Sequence, residues 1–263
     1  MLVMSDVFFR CLVLLALLGG GLPVWTPGAG AQPADSLEAL AEVDRLREQG
    51  DFRQALATLN GLREEHPNRA GVLWRLSRTK VDLGEQMERE DEQERFYREA
   101  LADAEAAVAA DSTSAQAYLA AAIAAGRVGL ISGTREKVEL SREVKEYVDR
   151  AIELNPEMPA AYHVRGRWNY EVASLGFFER AVVRTVYGGL PDASYEAAVK
   201  NFQVSIELDE RVVDRLELGR TYLAMGREEQ ARAQFERGLE LPNVDPDDPA
   251  YKEEARRLLD EID

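Results

Sequence analysis

The sequence predicts an all-α fold: a right-handed α-solenoid of about five helical hairpins, with insertions between some helices and a capping helix at the C-terminus. Three observations carry that expectation. Residues 211–241, RVVDRLELGRTYLAMGREEQARAQFERGLEL, read as one uninterrupted helix–turn–helix unit. Four earlier segments repeat the pattern of its second helix. No stretch alternates polar and apolar residues at period two, as a half-buried strand would.

In the 211–241 unit, Leu218-Gly219, Tyr222, Gly226, Ala231 and Phe235 occupy the spacing of a tetratricopeptide repeat, whose period is about 34 residues. Gly219 and Ala231 are small enough to let two antiparallel helices approach, and Leu218, Tyr222 and Phe235 fill the seam between them. Gly226 supplies a turn conformation that a Cβ would resist. The second-helix counterparts are FRQALATLNGLREEHP, YREALADAEAAVAADS, SREVKEYVDRAIELNP and SYEAAVKNFQVSIELDE. With Ala55, Ala100, Val144, Ala198 and Ala231 as equivalent positions, the spacings are 45, 44, 54 and 33. The last is standard, so the first three stretches must hold additional residues.

Along the chain, AQPADS (31–36) is a short lead-in with Ser36 as the expected N-cap. GVLWRLSRTKVDLG is a first helix with Trp74 and Leu76. The charge-rich EQMEREDEQER (85–95) reads as a solvated helix face carrying near-neighbour ion pairs. AQAYLAAAIAAGRVG is almost all small residues around Tyr118, which suits a tightly packed buried helix. AAYHVRGRWNYEVA brings Tyr162, Gly166, Trp168 and Tyr170. RWNYEVASLGFFERAVVRTVYGG (167–189) spans the largest insertion. It is expected to extend the first helix and add a packed aromatic segment, with Trp168, Phe177 and Phe178 built into the solenoid, before Pro191 restarts the pattern. In PAYKEEARRLLDEID, residues Tyr251, Ala255, Leu258, Leu259 and Ile262 share one helical face, as expected of a helix that seals a solenoid's end. Residues 32–263 are read as one helical domain.

Residues 1–31 read as a signal peptide. Arg10 precedes the apolar CLVLLALLGGGLPVW, and Ala29-Gly30-Ala31 precedes Gln32 as a small-x-small cleavage site. The alternative is an N-terminal membrane anchor. However, the unbroken apolar run Cys11–Leu18 is short and Gly19–Gly21 follow it, whereas a span wants about 20 apolar residues. The expected location is therefore outside the cytoplasm, periplasmic or secreted. Cys11 is the only cysteine, so the mature chain must rely on its apolar core instead of disulfides. A formal net charge of -16 excludes nucleic acid as a partner and disfavours broad adhesion to anionic lipid surfaces.

Catalysis finds no support in the sequence. The histidines are His66 and His163 only, and neither G-x-S-x-G nor H-E-x-x-H occurs. GRVGLISGT (126–134) lacks the lysine of a phosphate-binding loop. Asn243, Asp245, Asp247 and Glu254 fall at positions 1, 3, 5 and 12 of a calcium loop, but Asp248 stands where glycine is needed and Pro246 and Pro249 stiffen the segment. Neither enzyme, cofactor nor metal is expected. The candidate site is a binding groove. Counting within the repeat places His163, Arg167 and Tyr170 on the concave side of the fourth first-helix, with Arg220 at the corresponding position of the fifth. Leu119 and Ile123 supply apolar residues from the third. Arg165, Arg167, Arg180 and Arg184 outnumber Glu171 and Glu179 locally. Guanidinium offers a planar fork to oxyanions, so such a groove suits a protein or peptide segment, or alternatively a lipid or other anionic amphiphile. Beside this stands the reading in which the arginines simply pair with neighbouring acids.

LWRLSR, the long acidic insertion, AIELNP, YHVRGRWNYEVASLGFFERAVVRTVYGGLPDASYEAAVKNF and GRTYLAMGREEQARAQF together resemble the regulator of microtubule dynamics family, from about Leu40 to Leu259. The most specific part is Gly166 to Ala198: G-x-W-x-Y, an aromatic pair, Arg180, then Pro191-x-x-Ser194-Tyr195. The resemblance implies an α-solenoid that binds partners and does not catalyse. Eukaryotic relatives associate with microtubules or sit at organelle membranes, and one branch is linked to lipid binding and transfer at contact sites. The N-terminus departs from theirs in looking like a bacterial-type export signal. Microtubule association is therefore not expected to transfer, whereas lipid or peptide binding is compatible with the chain.

Overall fold

The structure, a computed structural model, describes residues 33–262, and among them every regular element is an α-helix. The hairpins are α1 (Pro33–Glu48) with α2 (Phe52–Glu65), α3 (Ala70–Glu85) with α4 (Glu90–Ala110), and α5 (Ala115–Ile131) with α6 (Thr134–Leu154). α7 (Pro159–Ser174) pairs with α9 (Tyr195–Leu208) across an inserted α8 (Phe177–Tyr187), and α10 (Val212–Ala224) pairs with α11 (Glu228–Glu240). α12 (Asp248–Ile262) closes the stack, its Ala255 and Leu258 buried on the α10–α11 core. The five-hairpin solenoid with a capping helix is thus observed. The expected export signal, residues 1–31, lies outside the described residues.

In the first two stretches the additional residues went mainly into longer helices, and in the third they form α8 and its flanks. Ala55, Ala198 and Ala231 are each the fourth residue of their helix, whereas Ala100 and Val144 are the eleventh of theirs. All five are buried. α4 and α6 therefore gain seven residues at their N-termini, about two turns. Two whole turns keep the apolar stripe on its original side, so Tyr97, just after the α4 extension, and Leu140, at the end of the α6 extension, still pack beside Val128 and Trp168. Glu90, Asp91 and Glu92 favour the α4 N-terminus through the helix dipole. Arg98, two residues past the α4 extension, bonds Glu94 within it at 2.7 Å and Glu136 of the α6 extension at 2.8 Å, so it ties the two together. α5 accommodates this crowding by burying alanines at 115, 117, 120, 121, 122, 124 and 125.

A recurrent close contact holds the hairpins. Gly166 lies under the ring of Phe202 and Gly219 under that of Phe235; a Cβ added there would meet ring carbons at 2.7 and 2.3 Å. Gly84 and Tyr97 repeat the device at 2.6 Å in the taller hairpin. The turn into α11 is made by Gly226 at φ +69, as its spacing predicted.

Two local expectations are corrected. α1 begins at Pro33, so Ser36 falls within its first turn instead of capping it. The 167–189 stretch does not extend the first helix: α7 stops at Ser174 and α8 is a separate helix. Trp168 is buried, donating to the Ser141 carbonyl at 2.7 Å. Phe177 and Phe178, by contrast, are 91 % and 78 % exposed, because α8 rests on the body mainly through Val183. Its ends are held by polar contacts. Arg180 donates to the backbone carbonyls of Leu175 (2.8 Å) and Ala173, at the end of α7. Arg142 of α6 donates to the carbonyls of Gly189 (2.7 and 3.0 Å) and Tyr187, where α8 ends.

Arg142→Ala should therefore release α8 without unfolding the solenoid. A charged donor to backbone contributes about 1.5 kcal/mol or more. Hydrogen exchange over residues 181–189 should accelerate roughly tenfold, with α9 and α10 unchanged; equal exchange in both proteins would sink this account of the insert.

Candidate functional site

His163, Arg167 and Tyr170 are spaced four and three residues apart on α7, and Asp214, Glu217 and Arg220 three and three on α10, so each trio forms a stripe on its helix. The two stripes meet. His163 Nδ1 lies 2.8 Å from Asp214 Oδ1, and the His163 ring stands edge-on to Phe202 with centroids 5.7 Å apart. Arg167 donates to Glu217 Oε1 at 2.7 Å and to Glu171 Oε1 at 3.2 Å. Arg220 donates to the same Glu217 oxygen at 2.7 Å and also pairs with Glu254 of α12. Tyr170 packs against the apolar cluster around Phe202, Leu216 and Tyr222, with its ring 5.7 Å from that of Tyr195.

The carboxylates are the buried members of this network. The Asp214 and Glu217 side chains are each 4 % exposed, while those of Arg167 and Arg220 are 39 % and 27 %. Burial opposes the charge on Arg220, but Glu217 and Glu254 more than offset it, so its guanidinium is held above its ordinary value. The hydrogen bond from Arg220 in turn holds the Glu254 carboxyl low. Desolvation pushes the Tyr170 hydroxyl up.

The structure thus brings His163, Arg167, Tyr170 and Arg220 together and places the remaining two candidates elsewhere. Leu119 is buried with Val148, Met158 and Ala161, and half-buried Ile123 packs towards Val81, Ala100 and Ala124. Both belong to the core, because the small residues of α5 let neighbouring helices close over them. Among the other local arginines, Arg165 donates to Asn201 Oδ1 at 2.6 Å and Arg180 is spent on backbone carbonyls. The neighbouring acids that engage Arg167 and Arg220 come chiefly from α10 and α12.

A second group of charges was not anticipated. Arg78, Asp82 and Glu85 share one stripe of α3, at spacings of four and three. Arg47 of α1 bonds Asp82 at 2.7 and 3.1 Å, and Arg127 of α5 pairs with Glu85. The solenoid curls far enough for its last segment to approach this stripe: a Cβ at Gly50, between α1 and α2, would lie 3.9 Å from Pro246, just before α12. The Asp247 carboxyl is pushed up by desolvation and then by Asp82, and the Tyr251 hydroxyl to about 12 by burial and then by Asp247. Burial and the nearby Arg47 lower Arg78 to about 10. The available signal was the 78–82–85 stripe itself, three charged residues recurring at spacings of four and three.

The 243–254 segment is organised by Asp248, which accepts from the Val244 and Asp245 amides at 2.7 and 2.8 Å and is itself buried. Among the described residues no group of three or more His, Cys, Asp or Glu side chains is arranged to hold a metal ion, and no helix is long and apolar enough to cross a membrane.

Comparison with known proteins adds three findings. The family model described as Regulator of microtubule dynamics protein 1-3 matches residues 39–263. Regulator of microtubule dynamics protein 3 of Rattus norvegicus is 27 % identical over 244 residues, 89 % of this chain and 52 % of the rat protein. Regulator of microtubule dynamics protein 1 of Bos taurus is 29 % identical over 234 residues, 88 % of this chain and 73 % of the bovine one. The chain therefore spans about half the length of the rat relative. Among solved structures, a thermophilic tetratricopeptide-repeat protein of Thermus thermophilus superimposes with a TM-score of 0.63 at 20 % identity, covering 85 % of this chain and 98 % of that one. The likeness shows the fold to be of tetratricopeptide-repeat type. With the hairpin order, the α8 insert and the family match all running through the same residues, the chain belongs to the Regulator of microtubule dynamics protein 1-3 family.

Proposed function

We propose that this protein is a non-enzymatic repeat scaffold that binds a protein or peptide segment along its concave face, with Arg167, Tyr170, His163 and Arg220 as contact residues. The observation that carries the reading is the α7–α10 network, in which buried Asp214 and Glu217 hold His163, Arg167 and Arg220 in place. Side chains ordered beforehand lose less conformational freedom on binding. Each guanidinium has five N–H donors, and both remain partly exposed, so the arginines retain capacity towards carbonyls or carboxylates of a bound segment.

The test is affinity capture with the wild-type chain and the Arg167→Gln/Arg220→Gln variant, with captured proteins identified by mass spectrometry. Charge-assisted hydrogen bonds contribute about 1.5–3 kcal/mol each, so the variant should bind an identified partner at least roughly tenfold more weakly while keeping its helical circular dichroism. Unchanged capture overturns the site. A stoichiometric lipid in native mass spectra of the purified protein, with no partner captured, replaces the peptide reading with that of an amphiphile carrier.

A further inference from the structure

Arg78, the last residue of the LWRLSR segment, is a guanidinium with no hydrogen-bond partner, although the charges of Asp82 and Glu85 act on it. Its Nε is enclosed and unbonded, and among the described residues neither a hydrogen bond nor an ion pair engages any part of its side chain. The arginines near it differ: Arg47 holds Asp82 and Arg127 holds Glu85. The two acids on Arg78's own stripe thus each accept from or pair with another cation, and neither bonds the Arg78 guanidinium although both lie near enough to act on its charge.

A guanidinium keeps its charge across the pH range of proteins and presents donors in a fixed plane. Enclosing it without an acceptor is costly, so the position needs water or an oxyanion. A carboxylate matches the planar fork with two parallel hydrogen bonds. We infer that Arg78 is an oxyanion site inside the curl of the solenoid, which takes the carboxylate of a ligand entering along the concave face. This rests on the concave-face reading above and deepens it, because it names a chemical group that the bound segment must carry. It also distinguishes two kinds of arginine along the groove: Arg167 and Arg220 already share Glu217, while Arg78 has no hydrogen-bonded acceptor.

The experiment is an NMR titration of the arginine Nε–H signals of the full chain with sodium hexanoate. Hexanamide and sodium chloride at equal ionic strength serve as controls. The Arg78 signal, assigned by its loss in Arg78→Lys, is expected to shift saturably with hexanoate alone, while those of Arg47 and Arg127 stay nearly still. Arg78→Lys keeps a charge but not the fork, and should weaken hexanoate binding, followed by calorimetry, at least about tenfold. An unmoved Arg78 signal, an equal shift with hexanamide or chloride, or undiminished binding by Arg78→Lys would overturn the assignment. Two further probes identify the source of the carboxylate: an N-acetylated alanine pentapeptide with a free C-terminus, and decanoate. Tighter binding of the peptide supports a protein segment; tighter binding of decanoate keeps the Arg78 site and removes the peptide reading. Loss of the hexanoate effect with partner capture intact removes this inference alone.

Discussion

Phe235→Ala is expected to destabilise the C-terminal hairpin by about 3–5 kcal/mol, the range for removing a buried aromatic ring from a packed core. The ring is 0 % exposed and lies directly on Gly219, so no solvent or flexible side chain stands ready to fill the void. Gly219→Leu should do comparable damage from the other side, since even its Cβ would sit 2.3 Å from a Phe235 carbon. The double variant tests the geometry. If the ring and the glycine are complementary halves of one contact, the new leucine occupies space the ring vacates, and the double variant is more stable than the sum of the single costs implies by about 0.5–3 kcal/mol. Urea unfolding followed by circular dichroism measures all three. In a solenoid the damaged end can melt before the rest, so a separate early transition is part of the expected result. A Phe235→Ala cost below about 1 kcal/mol, or strictly additive costs, would show that the hairpin does not depend on this contact.

Glu217→Gln should have the next largest effect. Its carboxylate accepts from Arg167 of α7 and Arg220 of α10, and Arg220 reaches on to Glu254 of α12, so one buried oxygen links three layers of the stack. Breaking a fully buried pair costs about 3–5 kcal/mol. Both guanidinia here reach solvent, which screens part of the loss, and about 1–3 kcal/mol is the expected figure. Because Glu217 itself is shielded, the loss should persist in 1 M salt. The exposed Arg256–Glu253 pair is the control: Glu253→Gln should change stability by less than about 0.5 kcal/mol. Equal effects at the two positions would sink the view that the α7–α10 seam is an internal electrostatic joint. The same variant loosens Arg167 and Arg220, so it should also weaken partner capture.

The repeat grammar was legible because it is local. Ala55, Ala100, Val144, Ala198 and Ala231 were identified as equivalent from their neighbours alone, and all five are buried against a facing helix. Where the excess residues would go was not legible. A seven-residue extension leaves the apolar stripe in phase, so the taller α4 and α6 look like ordinary helices preceded by charged sequence. Phe177 and Phe178 were misjudged for a related reason. Aromatic residues on a helix usually report a core, but only the docking of α8 on α6 determines that Val183 faces inward and the two rings outward.

The sequence by itself determined the all-α class, the hairpin order, the small residues at helix crossings and the gathering of His163, Arg167, Tyr170 and Arg220 on successive first helices. Only the tertiary structure decided what those side chains do. Asp214 and Glu217 lie about 50 residues beyond their α7 partners, and Asp247 lies more than 150 residues beyond Asp82. Their meeting depends on rotation accumulated repeat by repeat. A local period records which face of a helix is buried, but not how far the stack has turned when two distant faces meet. That turn is what sets Arg167 against Glu217 and brings Asp247 beside Asp82.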